Sequence, residues 1–359
     1  MRELGLEIGL YPTGVHNAIT DVPGVTVGQI TLWHGDGKLE IGKGPVRTGV
    51  TAIIPHPGNV IEQPVEAAVD VFNGVGTSTG LHNVQEVGFL ETPIVLTNSM
   101  SVGTAYEALS SWCVEHYLDN PGERGWIAPV VGETCDAFVN DIFGYHVRHE
   151  HVLAALDAAT GGPVAEGAVG AGTGTQTCGF KAGIGSASRV LNYDGESFTL
   201  GALVQSNFPG CLLADGAPVG RELGVVDPEY AAGSGESIMV VIATDLPLDS
   251  RQLGRVVKRS TLGITRTGAN GSHRSGDFFI AFSTNGHENR QQGRIFTQSR
   301  RMDDEYYLTR VFQAAAEAVE EAVLNSIFKA VTVTGRDGNT MNALDIDRTR
   351  EILKKYGRL

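Results

Sequence analysis

The sequence predicts a mixed α/β fold, with strands and helices packed in layers around apolar cores. Short apolar runs bounded by turn residues, such as Val50–Ile54 and Ser237–Thr244, read as strands. Segments with apolar residues at three- and four-residue steps, such as Leu308–Phe328, read as helices. The 47 glycines among 359 residues follow no short repeat and point to many tight turns and close backbone approaches.

Taken in order, Val25–Ile30 and Val50–Ile54 are expected as strands, the second closed by Pro55-His-Pro-Gly58. Pro93–Thr97 is a further short strand, leading through a polar turn into a helix from about Gly103 to Tyr117 that Pro121 stops. A second helix is expected over Val147–Ala159, with Val152, Ala155, Leu156 and Ala159 on its apolar face. Gly167–Arg189 is glycine-dense. The loop-like stretch Ala231–Glu236 precedes the strand that opens at Ser237. Asp249 and Gln252 form a capping pair for a helix to about Arg259. A turn-rich segment, Arg266–Asp277, joins the strand Phe278–Phe282. Last comes the amphipathic helix Leu308–Phe328, its stripe formed by Leu308, Val311, Phe312, Ala315, Val319, Ala322, Val323 and Ile327.

Composition narrows the function. At 42% apolar and 19% charged the chain reads as a soluble globular protein, and no apolar run reaches the roughly 18 residues that would span a bilayer. Charges inside Met1–Glu7 argue against a signal peptide. Cys113, Cys135, Cys178 and Cys211 are far apart and make no CxxC pair, so a reducing cytoplasm is expected. The net charge of -14 argues against nucleic acid. Residues 1–236 hold 9 of the 27 Lys and Arg but 27 of the 41 Asp and Glu, so the sign of the charge changes at Ser237. Two pieces of opposite charge attract one another.

Three motif matches carry little. Gly76-Thr-Ser78-Thr-Gly80 fits the G-x-S-x-G pattern, which needs a strand before it, whereas Asn73–Gly76 reads as loop. Gly170-Ala-Gly172-Thr-Gly174 begins like a dinucleotide fingerprint, but Thr175 stands where its last glycine belongs, so it reads as backbone shaping a pocket. His146, His149 and His151 lack a metal-binding spacing and read as a solvated helix face.

Ser237 is the sharper candidate. If the Glu236–Ser237 bond broke, one residue would carry a nucleophilic hydroxyl and an α-amine of pKa about 7.7 to 8.0 able to act as its base. A Ser at that place would otherwise simply begin a buried strand. Ser275 and Asp277 would share one side of an extended segment, where a hydroxyl and a carboxylate could orient such a nucleophile or merely form a polar turn.

Several blocks then act together: Asn17–Gly28, Val131-Gly-Glu-Thr134 with Asn140-Asp141, Gly170–Gly174, Val204-Gln-Ser-Asn207, Ser237–Leu248, Arg266-Thr-Gly268, Ser275-Gly-Asp277 and Val333–Gly338. In these the chain resembles, nearly end to end, the DmpA family of self-cleaving L-aminopeptidases/D-Ala-esterases/amidases, which includes the β-peptidyl aminopeptidases. The resemblance implies a four-layer αββα sandwich, related to the ornithine acetyltransferase-like proteins, formed by a single domain over 1–359. It implies autocleavage into residues 1–236 and 237–359, and a homotetramer of processed units. Carried over residue by residue, Ser237 is the nucleophile, Ser275 and Asp277 are its hydrogen-bonding pair, Asn207 is the oxyanion donor, and Glu133 receives the free ammonium of a short peptide, amide or ester substrate. No metal or other cofactor is implied. Two positions depart from the family pattern: Glu236, where relatives usually carry Gly or Asn, and Cys135, where some carry Tyr. The alternatives are an acyltransferase of the same fold, against which the choice of Ser over Thr at 237 speaks, and an unprocessed homologue that binds without catalysing.

Overall fold

The computed structural model describes residues 1–119, 125–226, 236–287, 299–301, 303 and 305–359. Pro121, expected to stop the first long helix, and residues 231–235 of the loop before Ser237 lie outside the described residues. The chain runs through β1 (Thr26–His34), β2 (Val46–Ile54), β3 (Val65–Gly74), α1 (Leu81–Val87), β4 (Phe89–Leu90), β5 (Ile94–Asn98), α2 (Val102–Tyr117), β6 (Val130–Thr134) and α3 (His149–Asp157). It continues through β7 (Gln176–Thr177), β8 (Phe180–Lys181), β9 (Ile184–Tyr193), β10 (Glu196–Asn207), α4 (Val219–Leu223) and β11 (Ser237–Thr244). It closes with α5 (Ser250–Val257), α6 (Ser260–Arg266), β12 (Gly276–Ser283), α7 (Glu305–Phe328), β13 (Val333–Thr334), β14 (Thr340–Met341) and α8 (Ile346–Lys355).

Two large sheets result, one ordered β1-β2-β5-β6 and the other β4-β3-β12-β11-β10-β9. Each contains one parallel pair, β5 with β6 and β11 with β12, and the rest are antiparallel. A parallel pair needs a long crossover, which α2 supplies in the first sheet and α5 with α6 in the second. Strand alternation then sets the layers. Ile53, Ile94 and Leu96 meet Leu203, Met239, Val241, Phe278 and Ile280 between the sheets. Val50, Ala52 and Val95, on the other face of the smaller sheet, pack on Ala105, Leu109, Val152 and Leu156 of α2 and α3. Ile238, Val240, Ile242 and Phe279, on the other face of the larger sheet, pack beneath Val256, Val311, Val319 and Val323 of α5 and α7. The order is helix, sheet, sheet, helix, the αββα arrangement expected from the resemblance.

Two helices differ from their expected form. Asp249 and Gln252 make the reciprocal cap, at 2.7 and 3.0 Å, but α5 ends at Val257 and a separate helix follows. The chain must turn there because α5 lies along β3 and β12, whereas α6 follows α7. The stripe of α7 is buried as expected, yet its polar side is buried too. Glu317 and Glu321 hold Arg189 at 3.2 and 2.8 Å, and Arg2 reaches Glu321 at 2.6 Å. The N-terminal segment lies over this face, with the Tyr11 N–H donating to Glu317 at 3.3 Å. Charges so buried persist because each is paired and hydrogen-bonded.

Candidate active site

The ends of β3, β6 and β10 and the starts of β11 and β12 meet at one edge of the space between the sheets. Ser237 opens β11, with Asn207 directly opposite it on β10 and Gly276 beside it on β12. It has the same parity as Met239 and Val241, which face the smaller sheet, so its hydroxyl lies at the rim of the inter-sheet core. The residue is 8% exposed. Just before it, the Glu236 carbonyl accepts the Gly276 N–H at 2.9 Å.

Ser275 and Asp277 flank Gly276, and the Ser275 hydroxyl donates to Asp277 Oδ1 at 2.5 Å. Asn73 Nδ2 donates to the other carboxylate oxygen at 2.9 Å, across a bulge where β12 leaves register with β3. Burial holds the Asp277 carboxyl above its ordinary pKa, opposed by the hydrogen bonds from Ser275 and Asn73. Ser275 donates its proton to Asp277, which leaves its oxygen free to accept one from a neighbouring amine or hydroxyl.

The Asn207 side chain is fixed at both ends. Its Oδ1 accepts the Gln176 N–H at 3.0 Å, and its Nδ2 donates to the Cys135 carbonyl at 2.9 Å. An amide nitrogen carries two hydrogens, so these two bonds leave one donor of Asn207 uncommitted. Glu133, 4% exposed at the end of β6, accepts the Thr77 N–H at 2.9 Å on Oε1 and the Ser99 hydroxyl on Oε2. Gly76 is what permits this approach: a Cβ there would stand 2.7 Å from Phe278 Cε2 and 2.9 Å from Glu133 Oε1. The neighbouring Val75 N–H donates to the Ser275 carbonyl at 3.3 Å, tying the Glu133 side of the site to the serine side.

All the expected site residues are thus brought to one edge of the space between the sheets, Ser237 by strand register and the others by the hydrogen bonds above. Sequence reasoning missed Asn73, Thr77 and Ser99, and its reading of Asn73–Gly76 as loop needs correction. Asn73 and Gly74 are the last residues of β3, and α1 begins at Leu81, so the strand and helix that the G-x-S-x-G pattern requires are both present. Ser78 nevertheless packs its hydroxyl on Met239 Sδ at 3.7 Å. The segment lines the site through the Thr77 N–H and the bare Cα of Gly76. Cys135, one of the two positions expected to depart from the family pattern, is exposed and contributes its carbonyl to Asn207.

The three histidines take separate partners: His146 pairs with Asp141 at 2.8 Å, His149 approaches Glu107 at 3.7 Å, and His151 Nδ1 accepts the Arg148 N–H. Among the described residues no group of three or more His, Cys, Asp or Glu is placed to hold a metal ion. Among the same residues no helix is long and apolar enough to cross a membrane.

Residues 17–341 match the model of peptidase family S58. The chain is 45% identical to the β-peptidyl aminopeptidase BapA of Sphingosinicella microcystinivorans, an alignment covering 100% of this chain and 92% of that one. The crystal structure of the PH0078 protein from Pyrococcus horikoshii superposes with a TM-score of 0.92 at 44% identity, covering 100% and 99% of the two chains. The L-aminopeptidase D-Ala-esterase/amidase of Ochrobactrum anthropi, described as a prototype of the serine aminopeptidases and a variant of the Ntn-hydrolase fold, gives 0.90 at 40% identity, covering 100% and 99%. With its αββα layers and a serine at the head of a central strand, the chain belongs to peptidase family S58.

Proposed function

We propose that this aminopeptidase is made as a precursor that cleaves its own Glu236–Ser237 bond and then removes N-terminal residues through Ser237. The hydrogen bond from the Gly276 N–H to the Glu236 carbonyl carries the first step. An N–H already aimed at that oxygen would stabilise the charge that develops when Ser237 Oγ attacks the Glu236 carbonyl carbon. The acyl group moves from nitrogen to oxygen, the α-amine of Ser237 is freed, and water hydrolyses the ester. Residues 1–236 and 237–359 then stay together because β11 pairs with β10 and β12 with β3, two ladders that cross the break. Ion pairs across the break, Arg300–Glu66 and Arg301–Asp194, add a smaller term.

In turnover, the new amine takes the proton of Ser237 Oγ, which attacks the acyl carbonyl of the first residue. The amine or alcohol leaves, and water releases the acyl group. Asn207 Nδ2 supplies its second hydrogen to the oxyanion, the Ser275–Asp277–Asn73 chain orients the nucleophile, and Glu133 receives the substrate ammonium. The names of the relatives support short peptides, amides or esters with a free amine as substrates. The free cysteines support a reducing compartment such as the cytoplasm. Assembly into a homotetramer of processed units belongs to the same proposal and rests on the family resemblance. The test is denaturing mass analysis of the wild type and Ser237→Ala. The wild type should give two fragments split at Glu236–Ser237, and the variant one inactive chain of 38.0 kDa. A fully active, uncut wild type would sink the proposal.

A further inference from the structure

Lys181, on β8, is completely buried, and its ammonium is met by backbone carbonyls alone. Nζ donates to Gly172 O at 3.0 Å, to Thr175 O at 2.8 Å and to Ala182 O. Three acceptors match the three protons of an ammonium, and no carboxylate is among these partners. Such burial is costly for a charged group and pushes the Lys181 amine down to about 7. The two oxygens held this way, those of Gly172 and Thr175, belong to the 3-10 turn Gly170–Gly172 and to the residue just before Gln176, so they flank the turn that leads into β7. Gln176 is the register partner of Lys181 in the β7–β8 hairpin, and its N–H holds Asn207 Oδ1. The same hairpin is clamped to the end of β10 by Thr177 with Ser206 at 2.6 Å and by the Cys178 N–H to Phe208 O at 2.9 Å, on either side of Asn207.

We propose that Lys181 is a positioning residue for catalysis: by fixing the Gly172–Thr175 turn, it sets the Gln176 N–H that orients the Asn207 amide toward the substrate oxyanion. This rests on the reading of Asn207 as the oxyanion donor. A neutral side chain of similar length leaves the turn's carbonyls without their donor and lets Gln176 shift. The Asn207 hydrogen then misses the oxygen it should meet in the transition state, while substrate binding through Glu133 is untouched.

The experiment is a double-mutant cycle on the full-length protein with Lys181→Met, Lys181→Gln and Asn207→Ala, and rates expressed per chain cleaved at Glu236–Ser237. Lys181→Met should lower kcat by about 10- to 100-fold, less than the roughly 100- to 1,000-fold typical of losing the donor itself, with KM nearly unchanged. Lys181→Gln, which keeps two N–H donors, should recover part of that loss. In the Asn207→Ala background, Lys181→Met should change kcat by less than about twofold, because the group through which it acts is gone. Losses that multiply in the double variant, a fall expressed in KM, or failure of both Lys181 variants to fold would overturn the inference and leave Lys181 as a structural residue. An unchanged kcat for Asn207→Ala alone would instead overturn the oxyanion reading on which it rests.

Discussion

Gly76→Ala places one methyl group between two immovable neighbours. Its carbon would lie 2.7 Å from Phe278 Cε2, 3.2 Å from Cζ and 2.9 Å from Glu133 Oε1. Carbon contacts settle near about 3.5 to 4.0 Å, so the intrusion is roughly 1 Å on the ring and less on the carboxylate. Phe278 is buried between the sheets, and both Glu133 oxygens are already held, by Thr77 and Ser99. Overpacking of this kind costs about 1–3 kcal/mol. If that cost falls on Glu133, then at about 1.4 kcal/mol per tenfold it lowers kcat/KM by roughly 5- to 150-fold. The loss should appear mainly in KM, because an ammonium contact is made in the ground state and the transition state alike. Gly74→Ala is the matched control. Its Cβ would meet nothing nearer than Val71 Cγ1 at 3.6 Å, an ordinary contact, so its kinetics should stay within about twofold. The assay is steady-state hydrolysis of an aminoacyl p-nitroanilide by both variants, with urea midpoints measured alongside. Equal kinetics for the two, or a Gly76→Ala loss confined to kcat, would refute the placing of the substrate ammonium at Glu133.

Ser99→Ala removes the hydroxyl on Glu133 Oε2 and leaves the Thr77 N–H. A hydrogen bond to a charged group is worth about 1.5–3 kcal/mol, so KM should rise about tenfold or more while kcat holds; an unchanged KM would count against the contact. Asp136 is buried with Asn140 Nδ2 on Oδ1 at 2.9 Å, and burial raises its pKa from 3.8 to about 7. A carboxyl raised in the folded state favours folding below its unfolded pKa, and that contribution is lost as pH climbs from about 4 to about 7. Asp136→Asn, a mimic of the protonated form, should therefore gain on its parent across that window, by at most about 4 kcal/mol. Urea midpoints against pH, in the Ser237→Ala background to keep one chain, would read this; parallel curves would exclude it.

Much of the fold was legible because periodicity reports burial. The run Ser237–Thr244 became a central strand, and Leu308–Phe328 kept its apolar stripe in the core. The Asp249–Gln252 cap was legible because its partners are three residues apart. Ser275 and Asp277 were legible as a pair for a similar reason, since extended residues two apart share a face. Asn73, Thr77 and Ser99 were not, because their partners lie 204, 56 and 34 residues away in sequence. The buried acids of α7 were also missed. A pattern of Glu on the far side of an apolar stripe signals water, and only the return of the N-terminal segment and Arg189 makes that face interior.

By itself, the sequence determined the layered α/β class, the strand that begins at Ser237 and, through resemblance, the residues proposed to carry the chemistry. These are local or family-wide properties, carried by spacing along the chain. Only the tertiary structure decided that Asn207 stands opposite Ser237, that the Gly276 N–H meets the Glu236 carbonyl, and that Lys181 braces the turn behind Asn207. Each of these depends on the register between strands distant in sequence. A slip of one residue would turn every side chain to the other face, and it is packing between the two sheets that fixes that register.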